Sequence, residues 1–221
     1  MKISNYKSIL FDCDGVLLNS NKIKTDAFKS IFIPFGITIA NEMVQYHINN
    51  GGISRYEKIN YFINTYIKNK DVNYRENLRI KLLNNFTKIV KEKLVQSDVC
   101  EDLNLLKKSS KNSNWLIISG GDQKELNYAF LKKNISNLFD GGIFGSPSTK
   151  FEIIKKEISK KNIKEPVLFL GDSKLDYEVA SFFNFDFIFV YQWSEFKNWK
   201  DYFKNKKKVL VVNSPSSILK L

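Results

Sequence analysis

Residues 10 to 20 read LFDCDGVLLNS and put two carboxylates, Asp12 and Asp14, one residue apart at the end of an apolar run. In an extended strand residues i and i+2 point the same way. The two acids therefore lean to one side of the strand end and Cys13 to the other. Gly15 follows at once and lets the chain turn sharply. Two like charges this close repel each other, and a cation relieves the repulsion. Hard oxygen ligands suit Mg²⁺, which takes few carboxylates and keeps several waters. Two aspartates in an ordinary turn are spelled the same way, so the pair gains meaning only from its partners.

Those partners end other apolar runs. WLII, residues 115 to 118, runs into Ser119-Gly120-Gly121. A hydroxyl and unencumbered backbone N–H groups at a helix start form an anion site. VLFL, residues 167 to 170, runs into Gly171-Asp172-Ser173-Lys174-Leu175-Asp176, which adds two carboxylates four residues apart. Lys150 opens a helical stretch after GSPST and supplies one fixed positive charge. An acid cluster, a hydroxyl–amide cradle and a lysine together suit a phosphoryl group.

The elements that must position these residues follow from the hydrophobic pattern. Short runs at Ile9–Phe11, Trp115–Ile118, Val167–Leu170, Phe187–Tyr191 and Val209–Val212 read as strands buried on both faces, with a shorter one within 140–145. Helical patterns occupy 122–133, 150–161 and 173–183. The alternation over residues 98 to 221 predicts βαβ units and a doubly wound, Rossmann-like parallel sheet. Residues 21 to 95 break it with four helical stretches, at 22–33, 41–48, 54–69 and 74–95. The expected organisation is an α/β catalytic core, residues 1–17 and 97–221, with an inserted all-helical cap domain, residues 18–96.

The chain has 221 residues and a formal net charge of +12. Only Arg55, Arg75 and Arg79 are arginines among its 35 basic residues. Nucleic-acid readers favour Arg for bidentate contacts, so the excess lysine reads as a solvated surface and no nucleic-acid partner is expected. No run approaches the length of a membrane span, and the first residues lack the apolar stretch of a secretory leader. Two cysteines, Cys13 and Cys100, make neither a metal spacing nor a disulfide framework. A reducing, cytoplasmic setting without membrane association is the expectation, with monomer and homodimer both open.

The motifs DCDGVLLNS, ISGG, STK and GDSKLD occur in that order over residues 9 to 176. With them the sequence resembles the haloacid dehalogenase superfamily. The likeness is to its phosphatase branch with a helical cap after the first strand, and it is similar to the phosphoglycolate phosphatase and β-phosphoglucomutase relatives. The resemblance implies a Mg²⁺-dependent phosphatase of a small phosphorylated metabolite, working through an aspartyl-phosphate. It makes Asp12 the nucleophile and Asp14 the proton donor to the leaving group and then the activator of water. It assigns Mg²⁺ to the Asp12 carboxylate, the backbone carbonyl of Asp14 and the Asp172 carboxylate. Ser119 and the Gly120 amide would hold phosphoryl oxygens, and Lys150 would neutralise charge. Asp176 would either support the metal through water or orient Lys150.

In the cap, NNGGISRYEKI, residues 49 to 59, is similar to the family's substrate loop. Gly51 and Gly52 permit a close-approaching turn, and Ser54 with Glu57 three residues on reads as a capping box. Arg55 then sits in a first helical turn, where the dipole disfavours a cation. It either binds a second carboxylate or phosphate of the substrate or forms a surface salt bridge. His47 reads as a surface or packing residue, with the cleft left open to it from its helix end; YQWSEF, residues 191 to 196, follows a core strand and is placed to line the site, its aromatics reading as packing. The mutase branch has a His ten residues after the acid/base and a Lys just before the loop; here these positions are Lys24 and Gly51. Both departures favour phosphatase over the alternative, a sugar phosphomutase of the β-phosphoglucomutase type.

Overall fold

All six apolar segments become strands of one parallel sheet, in the order β3-β2-β1-β4-β5-β6. The computed structural model describes residues 2–206 and 209–220. The strands are β1 Ser8–Phe11, β2 Asn114–Asp122, β3 Gly142–Ser146, β4 Val167–Gly171, β5 Asp186–Val190 and β6 Val209–Val212. Alternate residues of the central strands feed two separate cores. Ile9, Phe11, Ile117, Leu168 and Leu170 face one, and Leu10, Leu116, Ile118 and Phe169 face the other. Burial on both faces is why these strands read as continuous apolar runs.

The order reverses between β1 and β4, which pair in register from Ser8↔Val167 to Phe11↔Leu170. Two strands therefore end side by side while their connections depart in opposite directions. A crevice opens at such a switch point, and Asp12 and Asp172 stand just past the two strand ends.

Between β1 and β2 the chain forms four helices, α1 Asn21–Phe32, α2 Ile37–Asn49, α3 Arg55–Tyr66 and α4 Val72–Gln96. Local chemistry sets the starts of α3 and α4. The Ser54 hydroxyl accepts from the Glu57 amide at 3.2 Å, and the Asp71 carboxylate accepts from the Tyr74 amide at 2.8 Å. Helically spaced apolar residues then interlock, with Phe28 against Phe86 at 4.5 Å and Phe32 against Phe62 at 4.5 Å between ring centroids. The two crossing segments run beside each other. Leu18 and Val99 form an antiparallel bridge, the Asn19 amide donates to the Asp98 carbonyl at 3.0 Å, and the Cys100 amide donates to the Leu17 carbonyl at 2.9 Å.

The remaining helices are α5 Leu103–Ser109, α6 Gln123–Lys132, α7 Lys150–Ser159, α8 Lys174–Phe182 and α9 Trp199–Phe203. Short α5 and α9 were not expected, because neither is long enough to show periodicity. The fold is α/β with a Rossmann-like parallel sheet flanked by helices. Among the described residues no helix is long and apolar enough to cross a membrane.

Candidate active site

One oxygen each from Asp12, Asp172 and Asp176 lies within 4.8 Å of the others, and all three residues are buried. Two of them end the strands that flank the switch point, and Asp176 occupies the first turn of α8. Lys150, at the start of α7, reaches into the cluster. Its Nζ lies 2.9 Å from Asp12 Oδ2 and 2.5 Å from Asp176 Oδ1. Burial works against the Lys150 charge, but the two carboxylates outweigh it and hold the ammonium protonated above its ordinary range. Burial and mutual repulsion push Asp12 and Asp172 upward, and Lys150 offsets only part of this. Three carboxylates facing one ammonium fit a divalent cation with hard oxygen ligands.

Asp176 has the least freedom of the three. Its Oδ1 takes the Lys150 proton, and its Oδ2 accepts from the Asp172 amide, the Ser173 amide and the Ser173 hydroxyl, at 3.2, 3.1 and 2.7 Å. Of the two roles open to it from sequence, this bonding favours orienting Lys150.

Asp14 faces a different set of partners. Ser20 Oγ donates to it at 2.5 Å, and Lys24 Nζ forms a short ion pair with its other oxygen. Burial opposes its ionisation, but Lys24 and Ser20 outweigh that and hold the carboxyl below its ordinary value. Thus Asp12 and Asp14, with one residue between them, are pushed in opposite directions by their neighbours. Gly15 sits at φ +77, and a Cβ there would come within 2.1 Å of Asp172 Oδ2. Only glycine both makes this turn and leaves room for that carboxylate. Cys13 is fully buried among apolar residues, as a small core side chain.

The cradle is built differently from expectation. Ser119 and Gly120 do not start a helix. β2 continues through them to Asp122, with its register to β3 slipping between Ile118 and Asp122. Gly120 and Gly121, without side chains, let the strand bulge and run on. α6 starts only after Asp122, whose carboxylate caps it by accepting from the Lys124 and Glu125 amides. Ser119 is wholly buried, and its hydroxyl accepts from the Gly121 amide at 3.0 Å. Gly120 lies on the cavity wall.

The insertion roofs this cavity. Gly52, at φ +82, carries the loop across the strand ends, and a Cβ on Gly120 would lie 2.2 Å from the Gly52 carbonyl oxygen. Arg55, left between substrate and surface by the sequence, lines the cavity and is buried. Its guanidinium grips both oxygens of Glu125 on α6, at 2.5 Å for Nη1 and closer still for Nη2, and both residues are buried. It also donates to Thr87 at 3.1 Å and lies 4.5 Å over the Phe86 ring. The surface salt bridge is thus replaced by a buried clasp between insertion and sheet layer. Ser54 is the α3 cap, but its hydroxyl bonds the Glu57 carboxylate as well as the Glu57 amide.

Asn21, Lys24 and Lys58 line the cavity and escaped the sequence reading. Asn21 donates to Asp172 Oδ2 at 2.7 Å and to the Trp193 carbonyl at 2.9 Å. Lys24, noted only as a replaced histidine, holds Asp14. Lys58 and His47 line the cavity from the insertion, bonded to each other at 2.7 Å, so His47 is buried and not a surface residue. Glu195 and Phe196 line it from the loop after β5. Lys58 had one available signal, since it follows Arg55 by three residues and shares its helix face.

A sequence profile described as haloacid dehalogenase-like hydrolase matches residues 9–190. No curated protein is similar enough in sequence to match the chain. Solved structures share its fold at low identity. A predicted phosphatase from Clostridium acetobutylicum is 22% identical with a TM-score of 0.72, covering 99% of this chain and 100% of its own. A hydrolase from Pseudomonas syringae is 16% identical with a TM-score of 0.73, covering 97% and 96%. The β-phosphoglucomutase from Clostridium difficile is 18% identical with a TM-score of 0.68, covering 96% and 92%. The profile spans β1 through β5 and takes in every carboxylate of the cluster, so the chain belongs to the haloacid dehalogenase-like hydrolases.

Proposed function

We propose that the protein is a Mg²⁺-dependent phosphatase that hydrolyses a small phosphorylated metabolite through an aspartyl-phosphate on Asp12. The observation that carries this reading is the Asp12–Lys150 pair beside Asp172 at the switch point, roofed by the insertion. Residues 18–96 serve as the cap in this reading, and residues 1–17 with 97–221 as the catalytic core. The cavity holds about 70 Å³, the room of about five waters, which suits a small substrate. Two buried free thiols fit a cytoplasmic setting.

Asp12 is positioned for attack by its own loop and by α7. The Cys13 amide donates to Oδ1 at 2.7 Å, and Lys150 holds Oδ2. One carboxylate oxygen bonds to phosphorus as the bond to the ester oxygen breaks. Asp14 gives a proton to the departing alkoxide, a step for which its carboxyl must first be protonated against the pull of Lys24. It then takes one from the water that attacks phosphorus and frees Asp12. Lys24 favours the ionised form of Asp14, the form this second step needs. Gly120 lines the cavity where the phosphoryl oxygens would sit, Ser119 lies buried behind it, and Lys150 offsets the phosphoryl charge. Mg²⁺ held by Asp12, Asp172 and the Asp14 carbonyl would add electrostatic stabilisation of the same oxygens.

The test is phosphate release from an aryl phosphate with and without Mg²⁺. Equal release by wild type and Asp12→Asn would overturn the mechanism. A sugar phosphomutase is the alternative, favoured by the fold shared with the Clostridium difficile enzyme. Bisphosphate-dependent interconversion of a hexose phosphate with little free phosphate would establish it instead.

A further inference from the structure

Among the described residues three lysines are buried: Lys24, Lys58 and Lys150. Lys24 pairs with Asp14, and Lys150 with Asp12 and Asp176. Among the described residues no carboxylate lies within ion-pair distance of Lys58. Its Nζ is 2.7 Å from His47 Nδ1 and 3.4 Å from the His47 carbonyl, and 5.6 Å from the centre of the Phe28 ring. Burial and the nearby lysines hold His47 well below its ordinary value, so the neutral ring accepts from the ammonium. A buried ammonium with two neutral acceptors is incompletely compensated. It lines the same cavity as Asp12 and Asp14. Arg55, the neighbouring cation on α3, has both prongs of its fork on Glu125.

We propose that Lys58, positioned by His47, binds a second anionic group of the substrate, so that the enzyme selects small phosphate monoesters bearing a carboxylate or a further phosphate. This rests on the phosphatase reading and assigns the substrate's distal end to α3 and α2. The charges facing Lys58 agree with the assignment. Burial, then Lys24, lowers its affinity for a proton to about pKa 7, while Asp14, Glu195 and Glu57 raise it. An arriving anion restores the missing counter-charge, and a neutral group in the same place leaves it missing.

The experiment follows hydrolysis of p-nitrophenyl phosphate with three competitors: phosphoglycolate, its neutral isostere glycolamide phosphate, and ethylene glycol bisphosphate. Wild type is expected to bind at least one of the two anionic competitors about tenfold or more tighter than the amide, the scale of a hydrogen bond to a charged group. Whichever anion is favoured tells carboxylate from phosphate. In Lys58→Met that preference falls to about one, and in Lys58→Arg it is retained in part. The wild-type preference also shrinks as pH rises from about 6 to about 9, a readout that needs no variant to fold. No charge preference in wild type, or one that survives in Lys58→Met, overturns the proposal. Loss of p-nitrophenyl phosphate turnover in Asp12→Asn keeps the phosphatase reading intact in either case. Equal turnover in Asp12→Asn overturns that reading separately.

Discussion

Arg55 and Glu125 face each other as a two-pronged pair, each about a twentieth exposed, joining α3 of the insertion to α6 beside the sheet. Removing one partner strands a buried charge. Glu125→Leu is expected to destabilise the protein by about 3–5 kcal/mol. Adding Arg55→Met to it is expected to recover most of that loss. Urea denaturation of both singles and the double reads the coupling directly. Additive losses would mean that the two groups do not depend on each other.

The Gly120 backbone leaves no room for a side chain beneath the Gly52 carbonyl. Gly120→Ala is therefore expected to lift the loop and displace the roof. A misplacement of about 1 Å costs on the order of 10²-fold in rate, and kcat/KM should fall on that scale. Faster proteolysis of residues 49–54 in the variant would report the same opening. Unchanged kinetics would place the loop elsewhere in the working enzyme.

The acid cluster predicts a metal-dependent stability. At 100 times its dissociation constant a bound cation stabilises by about 2.7 kcal/mol, which at this chain length raises Tm by roughly 5–10 °C. Mg²⁺ should produce this shift in wild type. Asp172→Asn should be more heat-stable than wild type in EDTA, because it relieves a buried repulsion, and should gain little from Mg²⁺. A full Mg²⁺ shift in Asp172→Asn would remove that residue from the ligand set.

Lys58 gives a pH dependence with a definite sign. Folding lowers its pKa from 10.5 to about 7, so between those values the unfolded chain binds more protons. Its contribution to stability is greatest above the unfolded value, is lost as pH falls toward 7, and is at its lowest below that. Lys58→Met should therefore stabilise most near pH 6, by up to a few kcal/mol, and least near pH 10. Melting curves of the two proteins across that range check the trend. A gap that widens with rising pH would contradict it.

Lys24 acts through Asp14 and so should be seen in turnover more than in binding. Lys24→Met is expected to lower kcat on the order of 10- to 10²-fold, part of the usual range for proton-transfer catalysis, with a smaller change in KM. Lys24→Arg, which keeps the charge, should recover part of the rate. A change confined to KM would make Lys24 a substrate contact instead.

Much of this arrangement was legible in the sequence because strands buried on both faces advertise themselves. WLII and VLFL mark β2 and β4, and the polar residues after them are the ones the sheet delivers to its switch point. The acids followed from that position. The partners of Asp14, Arg55 and Lys58 were not legible, because each contact joins residues brought together by folding. Glu125 lies 70 positions from Arg55, and no local pattern announces the meeting. The Ser119–Gly121 segment misled for the opposite reason. Its glycines fit either a helix start or a bulged strand, and pairing with β3 decided between them.

The paired segments at Leu18 and Val99 have a consequence for how the molecule can be rebuilt. Because the chain departs and returns at neighbouring points, the sheet experiences α1 to α4 much as it would a tight turn. The entropy of closing that excursion is set by its two ends and grows only slowly with what lies between them. A graft that keeps Leu17–Asn19 and Asp98–Cys100 must still satisfy further ties, the Arg55–Glu125 clasp and the Lys24–Asp14 pair among them, to set a different group of helices over the same row of aspartates.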